Sequence, residues 1–358
     1  MKVTAGGDGL KADNEDDSQA GYIAMSGGTV GVTGGGDGAD AATDLVLTGG
    51  ALTVTSGGGH ATAPRADVSA KGLKSGVMTV LEGGTATVDS SDDAVHSDGS
   101  VRLGGAKLTA ASGDDGVHAE DGLRIDAGTV QVTASVEGIE AAHIAVAGGG
   151  TSVKSSDDGL NAAGGDASTG GGGGGGESVG DFDATVSGGT LVIDAGGDGL
   201  DSNGVATITG GTVVVNGPTE QFNGALDVNG SFTISGGTLA AAGSAGMVVA
   251  PGADSAQGWL SATLDSAVPA GTTLHVVDGA GKVVATFVTG KEVRNLVYSS
   301  AKISKGAQYS VHAGGTASGT RTGGLAAAGQ LGSAQKIATV TAGQAPEGGF
   351  GRGRGPGR

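Results

Sequence analysis

An acidic residue, a small residue and an aliphatic one recur along this chain at nearly constant spacing, and carboxylates repeated in that way can bind cations. Ser91-Asp92-Asp93-Ala94-Val95-His96 is followed by Gly113-Asp114-Asp115-Gly116-Val117-His118. Ser135-Val136-Glu137-Gly138-Ile139-Glu140 and Ser156-Asp157-Asp158-Gly159-Leu160-Asn161 continue the series. The acidic residue therefore steps by 22, 22 and 21 positions. A fixed period of this size marks a solenoid, in which one repeat is one coil and cannot bury its apolar side alone. Stacking then sets Asp93, Asp115, Glu137 and Asp158 in one column. Two carboxylates about 4.8 Å apart repel by about 3.5 kcal/mol at an effective dielectric near 20. The column must splay, accept hydrogen bonds or take up cations. Calcium suits it, because that ion accepts six to eight oxygens in loose geometry. The plainer alternative is that each aspartate accepts hydrogen bonds from its own turn.

The same phrase occurs at Asp8, Asp37 and Asp198, with a degenerate copy expected at His60. Counting the acidic residue as position zero, position two is apolar and position four is small throughout, so both point inward and position three points out. The outward column reads Lys11, Asp40, His96, His118, Glu140, Asn161, Asp201. The calcium candidates are Asp37, Asp40, Asp93, Asp115, Glu137, Glu140, Asp158, Asp198 and Asp201. Gly35-Gly36-Asp37-Gly38-Ala39-Asp40 and Gly196-Gly197-Asp198-Gly199-Leu200-Asp201 also match the start of the calcium β-roll nonapeptide, which supports the chemistry but has the wrong period for that fold. His96 and His118, one coil apart, offer a transition-metal pair. Beside acidic neighbours they read more simply as solvent-exposed side chains. Arg102 and Arg124 are likewise one period apart. They read as salt-bridge partners, with the basic residue of a polyuronate β-elimination as the catalytic alternative. No Ser-His-Asp order or phosphate loop stands out.

The elements that position these groups are strands. Gly-Gly-Thr precedes an alternating run at Gly27, Gly83, Gly188, Gly210 and Gly236, and Thr129-Val130-Gln131-Val132-Thr133 alternates with period two. Short strands broken by glycine, with no helical run between them, leave parallel coils as the economical arrangement. Nine or so coils would make a rod of about 45 Å. Insertions are expected at Glu15 to Ala20, at Pro64 to Gly76, and at about 164–181, where seven consecutive glycines predict a flexible loop. After Pro251 the pattern changes to ordinary strands at Leu260 to Leu264, Thr273 to Asp278, Val283 to Val288, Leu296 to Tyr298 and Tyr309 to Val311. The expected organisation is coils over 1–258, a C-terminal β cap over 259–343 and a disordered Gly/Arg tail over 344–358.

Composition narrows the partners. The 358 residues carry a formal charge of -18, which argues against nucleic acid and against an anionic membrane surface. Glycine contributes 78 residues but without the G-X-Y period of collagen. Cysteine is absent, so disulfides contribute nothing. No run approaches the roughly 20 apolar residues of a membrane span. The chain opens at Met1 already inside a repeat and without a signal-peptide core, which reads as a piece of something longer.

The alternation of Gly-Gly-Thr with Asp-Asp-Gly-Leu/Val/Ile resembles the bacterial family of carbohydrate-binding domain-containing proteins. The phrases that carry the likeness are Ala5-Gly6-Gly7-Asp8-Gly9-Leu10-Lys11-Ala12, Ser97-Asp98-Gly99 after Asp93, Glu137-Gly138-Ile139-Glu140, and Asn216-Gly217-Pro218-Thr219 leading to Gly224-Ala225-Leu226-Asp227. It covers about residues 1 to 315. The resemblance implies an all-β, right-handed parallel β-helix similar to polysaccharide lyases, which binds Ca2+ and binds cellulose or acidic plant polysaccharide at the cell surface. The expected activity is calcium-dependent polysaccharide binding (cellulose or polyuronate) without catalysis. A calcium-dependent lyase and a structural adhesin are the alternatives.

Overall fold

The protein is described by a computed structural model covering residues 1–17, 20–63, 65, 67–164 and 179–345. None of these residues is helical, and the fold is all-β. The chain visits three strand positions in a fixed order, and each strand pairs in parallel with the strand one coil further on. The first ladder runs from Lys2–Ala5 through Thr85–Ser90, Lys107–Ser112 and Thr129–Ala134 to Thr238–Gly243. The second carries the acidic phrase, in short strands such as Leu73–Ser75, Val95–Ser97 and Leu160–Ala162. The third includes Asp44–Leu47, Met78–Leu81 and Ser100–Leu103. Strands Val117–Ile125 and Ile139–Val146 run through the corner between the second and third ladders and join them into one sheet.

Register explains why the repeat tolerates so little variation. Leu73, Val95, Val117, Ile139, Leu160 and Leu200 lie directly above one another, and all are buried. Leu47, Leu81, Leu103, Ile125, Val146, Val186 and Ile208 form a second aliphatic column on the third ladder. Each fully buried aliphatic side chain contributes about 1.5–3 kcal/mol of transfer free energy. The glycine after the acidic residue is required by close approach. A Cβ on Gly138 would overlap the Val153 side chain and the Gly159 carbonyl. In the Gly-Gly-Thr turns the second glycine has positive φ, for example 78° at Gly84 and 70° at Gly189, where a side chain would be strained.

Two expectations about repeats are corrected. The third acidic phrase is not a degenerate copy at His60. It is Lys71-Gly72-Leu73-Lys74-Ser75, whose strand pairs with Ala39–Ala41 on one side and Val95–Ser97 on the other. The stretch from Pro64 to Gly76 is therefore not all insertion, because its last residues form a rung, while His60 lies off the ladder against Asp89. The glycine-rich stretch at 164–181 lies, from 165 to 178, outside the described residues, as do Pro64 and the tail from 346 onward.

The expected C-terminal strands are present, with bounds Trp259–Val268, Thr273–Asp278, Val283–Val288, Val293–Ser299 and Gln308–Ala313. Val293–Ser299 pairs antiparallel with Thr238–Gly243, so the first ladder continues into the cap with its direction reversed. Three further strands, Thr316–Thr322, Leu325–Gln330 and Gln335–Thr341, complete a six-stranded antiparallel sheet. A second apolar cluster joins Val214, Ala240 and Ala242 to Leu274, Phe287 and Tyr309. The cap thus packs on the side of the last coils as well as closing their end.

Candidate functional site

The acidic phrase turns the corner into the second ladder, and the register there builds two adjacent columns. Position three reads Lys11, Asp40, Lys74, His96, His118, Glu140, Asn161, Asp201, Asp227, each directly over the next. Position zero reads Asp8, Asp37, Lys71, Asp93, Asp115, Glu137, Asp158, Asp198. The corner is tied coil to coil by backbone bonds such as Gly72 N to Asp93 O and Gly138 N to Asp158 O, both near 2.9 Å. Every calcium candidate from the sequence lies in one of these columns.

The carboxylates of position zero do accept amide hydrogen bonds, but not from their own turns. Asp37 N donates to Asp8 Oδ1 at 3.0 Å, Lys71 N to Asp37 Oδ1 at 2.8 Å, and Asp115 N to Asp93 Oδ1 at 3.0 Å. Asp198 N donates to Asp158 Oδ1 at 2.6 Å, and Gly224 N donates to Asp198 Oδ1. One carboxylate oxygen thus staples each of these coils to the next, and the other oxygen is directed to different partners. Asp37 and Asp93 are buried as a result, at 2% and 3% exposure.

The partners change along the stack. In the first coils the second oxygen meets lysine. Lys11 Nζ lies 2.8 Å from Asp8 and 2.7 Å from Asp40, and Lys74 Nζ lies 3.8 Å from Asp37 and 3.9 Å from Asp40. Lys71 Nζ lies 2.5 Å from Asp93 and 3.0 Å from Asp92. Burial pushes the Asp93 carboxyl up, but hydrogen bonds from His96 and the charge of Lys71 hold it below the usual carboxylate range. Lys71 and Lys74 were missed from the sequence because the phrase was sought by its acid. The conserved spacing of glycine, aliphatic and small residue in Lys71-Gly72-Leu73-Lys74-Ser75 is the signal that would have found them.

The middle coils substitute histidine. His96 Nδ1 lies 2.8 Å from Asp93 Oδ2, and His118 Nδ1 lies 2.9 Å from Asp115 Oδ2 and 3.4 Å from Glu140 Oε2. The two rings stack with centroids 4.9 Å apart and planes 13° apart. The solvent-exposed reading of these histidines is corrected: His96 is 8% exposed and His118 is largely covered. Position zero bends towards position three and roofs it. Burial alone would lower the His118 value, but Asp115 and Glu140 raise it well above that of an ordinary histidine. Asp115 is itself pushed up, by burial first and then by Asp93, Glu140 and Asp114, against the opposing bond from His118.

In the later coils the neighbours are acids and an amide. Asn161 Nδ2 donates to Glu137 Oε2 at 2.8 Å. Glu137 is pushed above the usual range by burial and by Glu140. Asp158 rises to about 6, through burial and then Asp157, Asp227 and Glu140 against the bond from Asp198 N. Asp198 rises to about 7, through burial and then Asp158, Asp227 and Asp157 against the bond from Gly224 N. Asp201 stands in the register between Asn161 and Asp227.

Among the described residues three groups bring metal-ligand atoms within 4.8 Å of one another: Asp93–His96–His118, Asp115–His118–Glu140 and Asp92–Asp93–Asp114. The last is the one all-oxygen group of the three, but Lys71 already sits against two of its carboxylates. A calcium ion there would have to displace a buried ammonium. Around Asp158 and Asp198 the groups that raise their values, after burial, are all carboxylates.

On the third ladder Arg102 and Arg124 are in register, as their spacing predicts. Arg102 bridges Glu82 at 2.6 Å and Asp126 at 2.9 Å, and Arg124 meets Asp126 at 2.7 Å. Both are paired to acids.

The model of one protein family matches residues 1–116 and again 114–317, which between them take in the parallel coils and part of the cap. The family is described as carbohydrate-binding domain-containing protein, and the chain belongs to it. No curated protein and no solved structure matches the chain.

Proposed function

We propose that this chain is a non-catalytic, calcium-dependent polysaccharide-binding protein that works outside the cell or at its surface. The family match across the whole coiled region carries the carbohydrate part of this reading. In this proposal the three parallel ladders wind as a right-handed parallel β-helix, the hand that β-strand crossovers overwhelmingly take. The coils are the binding scaffold, and calcium occupies the Asp158 and Asp198 rungs, with Asp157 and Asp227 as further oxygen donors.

The glycan class follows from what the surface offers. No Phe, Tyr or Trp occurs between Val30 and Ala163, so those coils have no aromatic platform on which neutral sugar rings could stack. Carboxylates and hydroxyls compete weakly with water for neutral sugars. An acidic polysaccharide is repelled by a chain of charge -18 unless calcium bridges carboxylates of both partners and inverts the local charge. A polyuronate with calcium is therefore the preferred ligand, and cellulose is the second. Retention on immobilised polygalacturonate should appear with calcium, disappear in chelator and weaken in an Asp158→Asn/Asp198→Asn variant that keeps its circular dichroism. Equal retention in excess chelator by the folded protein would refute the bridging mechanism. New ultraviolet absorbance from unsaturated uronides would show a lyase instead.

A further inference from the structure

We propose that Asp115, His118 and Glu140 form a second kind of metal site, for a transition-metal dication of the Zn2+ class, distinct from the calcium rungs. The distances carry the argument. His118 Nδ1 lies 2.9 Å from Asp115 Oδ2 and 3.4 Å from Glu140 Oε2. Nitrogen and oxygen ligands about 2.05 Å from a shared zinc stand about 2.9 Å apart at a right angle and about 3.4 Å apart at the tetrahedral angle. Around calcium, with ligands at about 2.4 Å, a right angle needs about 3.4 Å, and only the roughly 72° angles of a pentagonal equator reach about 2.8 Å. Zinc meets both observed edges, and the imidazole donor selects it over calcium. A single N–H on Nδ1 is shared unequally between the two carboxylates, at 2.9 and 3.4 Å, whereas one ion in front of the nitrogen can meet both fully.

Donor chemistry agrees. Imidazole nitrogen with two carboxylates suits Zn, Fe, Co or Ni, and calcium prefers oxygen alone. The partner of the other ring nitrogen is also in place, since His118 Nε2 is buried without a hydrogen bond and faces Glu120 Oε1 at 3.5 Å. A small closing movement would let Nε2–H donate to that carboxylate, the usual orienting contact of a metal-bound histidine. Directly over Glu140, Asn161 is 8% exposed and its Oδ1 has no hydrogen-bond partner, so a buried oxygen lone pair stands at the next rung.

The neighbouring coil explains why the site belongs to this rung. His96 stacks on His118 and meets Asp93 in the same way, but Lys71 already holds Asp93, and His96 Nε2 is bonded to Asp98 at 2.9 Å. Asp93 with His96 is thus already neutralised by a side chain.

The test is titration of the metal-stripped protein with Zn2+ by calorimetry, and with Co2+ by visible absorption. One ion per chain should bind in the presence of a large excess of calcium. Co2+ should give the intense bands of a low-coordinate nitrogen–oxygen site. His118→Gln and Glu140→Gln should each weaken binding by about 100-fold or more, beyond the 10–100-fold typical of outer-shell changes. His96→Gln should change it by no more than a few-fold. Glu140 lies nearer the surface, so Glu140→Gln tests the site even if His118→Gln fails to fold. Failure of the folded protein to bind Zn2+, displacement by calcium, or equal losses in the His96 and His118 variants would each overturn the assignment.

Discussion

Replacing Lys71 by methionine tests whether cations built into the chain hold the acidic column together. The ammonium lies 2.5 Å from Asp93 and 3.0 Å from Asp92, with the lysine side chain 18% exposed and that of Asp93 4%. At an effective dielectric near 20, a unit charge pair at 2.5 Å attracts by about 6.6 kcal/mol, from which desolvation must be subtracted. Removing one member of a buried pair costs about 3–5 kcal/mol, because the other is left buried and uncompensated. His96 Nδ1 remains 2.8 Å from Asp93 and softens the loss, which places the expected cost near 3 kcal/mol. With about 2.1 cal/mol/K of unfolding entropy per residue, 358 residues give about 0.75 kcal/mol/K, so Tm should fall by about 4 °C. The double variant Lys71→Met/Asp93→Asn should recover most of this. Asparagine keeps the Oδ1 that accepts from Asp115 N and removes the stranded charge. Thermal melts of the wild type, both single variants and the double variant complete the cycle. A Tm for Lys71→Met within 1 °C of wild type, or strict additivity in the double variant, would refute the reasoning.

The later rungs predict a pH dependence. Asp158 at about 6 and Asp198 at about 7 lie above the roughly 3.9 of an unfolded aspartate, so their contribution to stability is full below pH 4 and is lost as pH rises through 6 to 7. In chelator the protein should melt lower at pH 8 than at pH 5. Asp158 alone accounts for on the order of 3 kcal/mol between pH 3 and pH 8, of which about 1.4 kcal/mol falls between pH 5 and pH 8, and Asp158→Asn/Asp198→Asn should narrow the gap; an unchanged gap counts against the assignment. Packing gives a third outcome: Gly138→Ala, whose Cβ would overlap Val153 and the Gly159 carbonyl, should cost about 1–3 kcal/mol in urea unfolding. Gly31→Ala, with nothing within 4 Å of its Cβ, should be nearly neutral, and equal losses at the two sites would contradict the close-approach account.

Much of this molecule could be read from spacing alone. A period near 22 residues, an aliphatic at position two and a small residue at position four require every coil to bury the same side chains in register, and Val95, Val117, Ile139 and Leu160 do so. The acidic column was legible for the same reason, because identical coils stack identical positions. The partners of that column were not. An aspartate's amide donor is the backbone of the next coil, 22 to 40 residues away, and no local motif records it. Lys71 stands where the pattern calls for an acid, so it is invisible to a search for acids, yet it neutralises Asp93. The two histidines carry polar neighbours in sequence and read as exposed. In the structure position zero folds over position three and buries them, bringing His118 between Asp115 and Glu140. Sequence periodicity dictates which residues share a column, since burial must repeat with every coil. Only the tertiary structure decides which charges meet, since that depends on side chains reaching across coils.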